Sequence, residues 1–260
     1  MGLLEALLAA VASLVGGFIS TLASNGSAVT LPALEILGLP DNVANGTNRL
    51  SVVALALVGT VSFYRRGLLD WRKGSWIAAL VALGTIVGSL ITIEASEAFL
   101  DAVVISGLLL VLGLLLFRPG RWLQGKEGTL RPFSWDQASV YFGIGVYAGL
   151  VVLGSGFFML AVLVLLMGCD LRHGNALKAF ILLVVGLQSL LILGESREVY
   201  WTASLPLALG SAVGAYLAAK LATQEWARAS VYRLLVLVVV LAIVHLILVD
   251  TERFLPWAVT

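Results

Sequence analysis

The chain has 260 residues, 60% of them hydrophobic and only 12% charged, and its mean hydropathy is +1.03. A soluble domain is about half apolar and about a quarter charged, so 16 basic and 15 acidic residues are too few to cover a water-facing surface of this size. Soluble enzymes and nucleic-acid binders are excluded, and a net charge of +1 points to no polyanionic partner.

Taken in chain order, the N-terminus Met-Gly-Leu-Leu-Glu lacks the basic flank of a cleaved signal peptide, and its apolar run continues to Leu22, as in a retained membrane segment. Residues 3–38 are apolar but broken at Ser24-Asn25-Gly26-Ser27. Helices of spanning length are predicted over 45–64, 75–93 and 99–117, because a bilayer core of about 30 Å takes about 20 apolar residues. The stretch 136–168 is broken in its turn at Gly154-Ser155-Gly156, and spanning helices follow over 175–194, 202–220 and 230–250. The pieces after the breaks, 27–38 and 157–168, would rise about 18 Å and reach only the midplane, which predicts re-entrant hairpins.

Basic residues mark cytoplasmic loops. They cluster at Arg65, Arg66, Arg72 and Lys73, at Arg118, Arg121, Lys126 and Arg131, and at Lys220, Arg228 and Arg233. The alternate loops carry Glu94, Glu97 and Asp101, then Glu195, Arg197 and Glu198, with no basic excess. Both termini are therefore expected outside. Shifting the sequence by 130 residues aligns Gly26 with Gly156, Gly38 with Gly168, Asn45 with Asn175, Trp71 with Trp201 and Gly84 with Gly214. The expected fold is all-α and integral to the membrane. Two inverted-topology repeats, 1–130 and 131–260, each comprise a broken hairpin and three spanning helices, with a site near the midplane between them.

Several motifs carry a family resemblance. These are Gly17-Phe18-Ile19-Ser20, the break at residues 24–27, Leu31-Pro32-Ala33-Leu34, Leu37-Gly38-Leu39-Pro40, Ala44-Asn45-Gly46-Thr47-Asn48 and Tyr64-Arg65-Arg66-Gly67-Leu68-Leu69-Asp70-Trp71. Together they resemble the TauE/SafE family of sulfite exporters, with a looser second copy over Gly149–Lys178. The resemblance implies a bacterial or archaeal inner-membrane permease for small anions such as sulfite or organosulfonates, commonly moved outward. The chain departs from the family's Gly-rich tip with Ser-Asn-Gly-Ser, and its second copy has no counterpart of Pro32.

A helix broken inside the bilayer leaves backbone groups that only protein or a polar cavity can receive, so the breaks are the first candidate site. The N–H groups of Ser27 and Ala28, and of Phe157 and Phe158, would face inward with the positive ends of their helix dipoles. Ser24, Asn25, Ser27 and Ser155 add polar donors, and Gly26, Gly154 and Gly156 permit close approach to a ligand. The competing reading makes these ordinary turn and helix-packing residues. Arg49 and Lys178, behind Asn45 and Asn175, fall about four residues, or roughly 6 Å, into equivalent helices. About 18 Å would then separate their heights, and they read as attractors in outer and inner vestibules or as snorkelling side chains.

Glu35 is expected to reach water, Cys169 to fill apolar space, and His173 to lie at the surface. Trp71, Trp76, Trp201 and Trp226 fit an interfacial belt. One cysteine and two histidines, His173 and His245, suggest no metal site, and no phosphate-binding Gly-rich loop occurs, so neither a cofactor nor ATP is expected. The sequence reads as a non-enzymatic secondary carrier working by alternating access around the hairpin tips, with the lipid bilayer as surroundings and protons as a candidate coupling ion. The alternatives are an anion channel and an intramembrane hydrolase using Ser155, although Gly154-Ser155-Gly156 lacks the spaced nucleophile pattern.

Overall fold

The computed structural model describes residues 2–24, 26–117, 122, 134–150, 155–193, 199–224 and 226–254. Within them the chain is helical: α1 (Leu3–Ala23), α2 (Ser27–Ile36), α3 (Asp41–Tyr64), α4 (Trp71–Glu94), α5 (Glu97–Phe117), α6 (Trp135–Leu150), α7 (Ser155–Ala161), α8 (Leu171–Leu193), α9 (Trp201–Ala222) and α10 (Ala227–Phe254). Among the described residues, four stretches are long and apolar enough to cross a membrane: Leu3–Ala23, Gly46–Tyr64, Trp71–Ile91 and Trp201–Ala222. Leucines 3, 4, 83, 90, 205 and 209 are exposed, as are Trp71, Trp76, Trp201 and Trp226, a surface suited to lipid rather than water. The chain is a multi-pass membrane protein.

The first break is where the sequence places it, but its two arms are unequal. α1 continues for 21 residues, about 31 Å, and only the returning α2, with 10 residues, is short. α2 doubles back on α1: a Cβ on Gly16 would meet Thr30 Cγ2 at 2.7 Å, and Leu34 packs in one buried cluster with Ala9. Gly38, at φ +84°, ends the return arm with the Leu39 N–H donating to the Leu34 carbonyl at 3.1 Å. Gly168, at φ +75°, ends the second return arm, and there the Cys169 N–H donates to the Leu163 carbonyl at 3.3 Å. That second arm is seven α-helical residues followed by a π turn over Val162–Leu166. A dipole argument for its tip consequently has little continuous α-helix behind it.

Two long helices begin earlier than their apolar runs. Pro40, at φ −58° and ψ 151°, holds the chain extended until Asp41, and the Ala44 N–H closes the first turn of α3 on the Pro40 carbonyl at 2.8 Å. α8 starts at Leu171 because Asp170 Oδ1 accepts the His173 N–H at 2.9 Å, an N-cap bond. Arg49 and Lys178 therefore lie about two turns into their helices rather than one.

Contacts between helices fix their relative directions. Gly210 packs on Ala10 and Gly214 on Leu14 and Phe18, so α9 runs parallel to α1. Gly84 packs between Phe142 and Val146, and Gly88 between Val146 and Leu150, so α6 runs parallel to α4. α3 is parallel to α9, with the Ser211 hydroxyl donating to the Ser51 carbonyl at 3.0 Å and Ser204 to that of Thr47 at 3.4 Å. α8 runs antiparallel to α3, Gly59 facing Ala179 and Gly186 facing Val53. Small residues at these crossings bring backbones together where lipid supplies no hydrophobic drive.

Candidate functional site

The two breaks meet. A Cβ on Gly156 would lie 2.7 Å from Ser24 Cβ and 3.2 Å from Ser24 Oγ, so glycine is required for the second tip to approach the first. Ser24 ends α1 in the left-handed region (φ 69°), its N–H donating to the Ser20 carbonyl at 3.0 Å. A serine there costs about 1 kcal/mol or more relative to relaxed backbone, and its side chain offsets the strain. Ser24 Oγ accepts a 2.8 Å hydrogen bond from Lys178 Nζ.

Lys178 occupies no vestibule. Only 1% exposed, it donates to the carbonyls of Ser20 at 3.1 Å and Thr21 at 3.0 Å as well as to Ser24 Oγ. An ammonium has three donors, so all are satisfied. The cation also sits at the C-terminal end of α1, where unpaired carbonyls concentrate partial negative charge. A residue of the second half thus closes the tip of the first-half hairpin.

Arg49 is placed differently. Its Nε is buried with no hydrogen-bond partner. Arg49 lines a cavity of about 80 Å³ together with Ser155, Thr85, Ser89 and Gly149 and with the apolar residues Val52, Val81, Met159, Ile181, Leu182 and Val185. A single water needs on the order of 10–15 Å³ on the same measure, so a small polyatomic anion fits. The cavity draws on α3, α4, α6, α7 and α8, and so on both halves of the chain. Thr85 and Ser89 escaped the sequence reading; their i, i+4 spacing puts both on one face of α4, the only signal they carry.

Of the other expected site residues, Gly26 packs against Gly16 and Ser20, and Ser27 Oγ accepts a 3.3 Å bond from the buried Asn48 amide. Asn175, 1% exposed and three residues before Lys178 on α8, has both amide atoms buried without a partner. Asn25 and Gly154 lie outside the described residues, as does the side chain of Asn45. Ser24, Gly156 and Lys178 therefore form one cluster, and Arg49 with Ser155 lines the cavity.

At the start of α8, His173 is tied down rather than free at the surface: its Nδ1 lies 2.5 Å from Asp170 Oδ1, while Arg172 Nε donates to Asp170 Oδ2 at 3.2 Å. Burial pushes the Asp170 carboxyl up, but the His173 side chain and N–H and the Arg172 guanidinium outweigh it and hold it at about 2. Cys169 is buried, its thiol donating to the Leu163 carbonyl at 2.6 Å, and Glu35 is exposed.

Comparison with known proteins adds an independent line. Similar chains include a "Probable membrane transporter protein" of Haemophilus influenzae, 29% identical over 208 residues, covering 80% of this chain and 81% of that one. Another is the "Probable membrane transporter protein ORF9" of a Sinorhizobium species, 26% identical and covering 95% and 94% respectively. The Escherichia coli K12 protein YfcA, named in the same way, is 23% identical over 80% of this chain and 77% of its own. The sulfite exporter TauE/SafE family model matches residues 8–246, nearly the whole chain, and the protein belongs to that family.

Proposed function

We propose that the chain is a secondary carrier that moves a small anion, sulfite or an organosulfonate, out of a bacterial cell. The observation that carries this reading is the cavity lined by Arg49, whose Nε has no partner, set between the two halves beside the second hairpin tip. A guanidinium whose Nε is buried without a protein partner is costly, and an anion of matching size relieves that cost.

Alternating access of two inverted repeats finds support in the packing. Gly17 meets the Ser211 carbonyl as Gly145 meets that of Val81; Gly214 fits between Leu14 O and Phe18 N as Gly84 fits between Phe142 O and Val146 N. These contacts correspond pairwise under shifts of 128 residues along α1/α6 and 130 along α4/α9. Each half's first helix thus packs on the helix after the other half's α3 or α8, as exchange by a twofold axis requires. The termini outside, and α1 entering from there, agree with the parallel course of α1 and α9, since α9 runs from the acidic 195–198 loop toward Lys220 and Arg228. Protons are the proposed coupling ion.

Counterflow in proteoliposomes tests the reading. Labelled sulfite should exchange saturably against unlabelled sulfite, and Arg49→Gln should abolish the exchange. Unsaturable, potential-driven currents would indicate a channel instead, and no anion movement would end the proposal.

A further inference from the structure

We infer that the Arg49 cavity selects anions bearing one negative charge and rejects dianions of similar size. The inference rests on the carrier reading of this cavity and specifies what that carrier accepts. Arg49 is the only charged side chain among the described lining residues. Residues 151–154, adjoining the cavity's Gly149 and Ser155 in the chain, are Val151, Val152, Leu153 and Gly154 and add no charge. Lys178, which is buried, has its three donors committed to the first tip. The cavity therefore offers one positive charge. A monoanion neutralises it, whereas a dianion would keep one negative charge uncompensated in a low-dielectric interior.

Val52, Val81, Met159 and Val185 line the same cavity and bring neither a charge nor a side-chain donor to a second negative charge. Methanesulfonate carries a single charge on a body close to the size of sulfate, so the pair separates charge from size.

Three probes of nearly one size separate the contributions: methanesulfonate (one charge), sulfate (two) and dimethyl sulfone (none), each titrated calorimetrically into the purified full chain. Methanesulfonate should bind at least about tenfold more tightly than sulfate, a difference of about 1.4 kcal/mol. Dimethyl sulfone should not bind, and Arg49→Gln should remove methanesulfonate binding. Sulfate binding as tightly as methanesulfonate, with both dependent on Arg49, would overturn the charge selection and leave the carrier reading standing. Anion binding indifferent to Arg49→Gln, or no anion binding by the unaltered chain, would overturn both.

Discussion

At the first hairpin tip a buried cation from the other half is fully engaged: Lys178 closes the end of α1 with three hydrogen bonds. At the second tip the corresponding cation, Arg49, stands over a cavity with its Nε unpartnered. Under the 130-residue shift Lys178 falls on Asn48, next to Arg49, and the two cations differ in how each charge is compensated. One is neutralised by the protein's own carbonyls and acts as a structural tie between halves. The other has its Nε unpaired and, in the proposed reading, awaits the transported anion. Under the proposed function the two helix breaks divide the work, one tip holding the halves together and one tip binding.

The sharpest way to break the comparison is to exchange the consequences of losing each cation. Arg49→Gln should reduce sulfite exchange about a hundredfold or more, because a bound anion loses its only charged partner. Its effect on unfolding in detergent should stay within about 1 kcal/mol, since no protein hydrogen bond to Nε is lost. Lys178→Met should do the reverse first: three acceptors at the end of α1 lose their donor, and unfolding should show a loss on the order of 3 kcal/mol. Equal stability losses for the two variants would remove the distinction between the tips.

Smaller changes sharpen it. Gly156→Val puts a Cβ 2.7 Å from Ser24 Cβ and should cost about 1–3 kcal/mol by prising the tips apart, measured by the same unfolding. The Asp170 cap adds a pH dependence. Its folded value of about 2 lies below the ordinary carboxylate value, so the stability it contributes is complete above about pH 4 and is lost as the pH falls through 2. Asp170→Asn should flatten that acid limb in a stability–pH profile and lower neutral-pH stability by about 1 kcal/mol. Ser24→Gly should change least, within about 1 kcal/mol, because relief of the left-handed backbone offsets the lost Lys178 acceptor.

The helix breaks were legible because Ser24-Asn25-Gly26-Ser27 and Gly154-Ser155-Gly156 interrupt apolar runs, and Gly38 and Gly168 stand out as helix terminators. The starts of α3 and α8 were not. An apolar count ignores polar first turns, and the Asp170 cap that sets α8 has no hydropathy signal. Arg49 and Lys178 consequently lie about two turns into their helices, where the apolar runs put them one turn in. The contact of Gly156 with Ser24, and of Lys178 with the end of α1, joins residues more than a hundred positions apart, which no local pattern encodes. Nor did composition reveal the π turn at Val162–Leu166, since its five residues are as apolar as their neighbours.

The most direct measurement is the location of a heavy-atom anion. Crystals grown with selenite should give a single anomalous selenium peak in the cavity, within hydrogen-bonding reach of the Arg49 guanidinium and the Ser155 hydroxyl. A peak beside Lys178 at the Ser24 tip, or none between the two halves, would contradict the assignment of binding to the second tip.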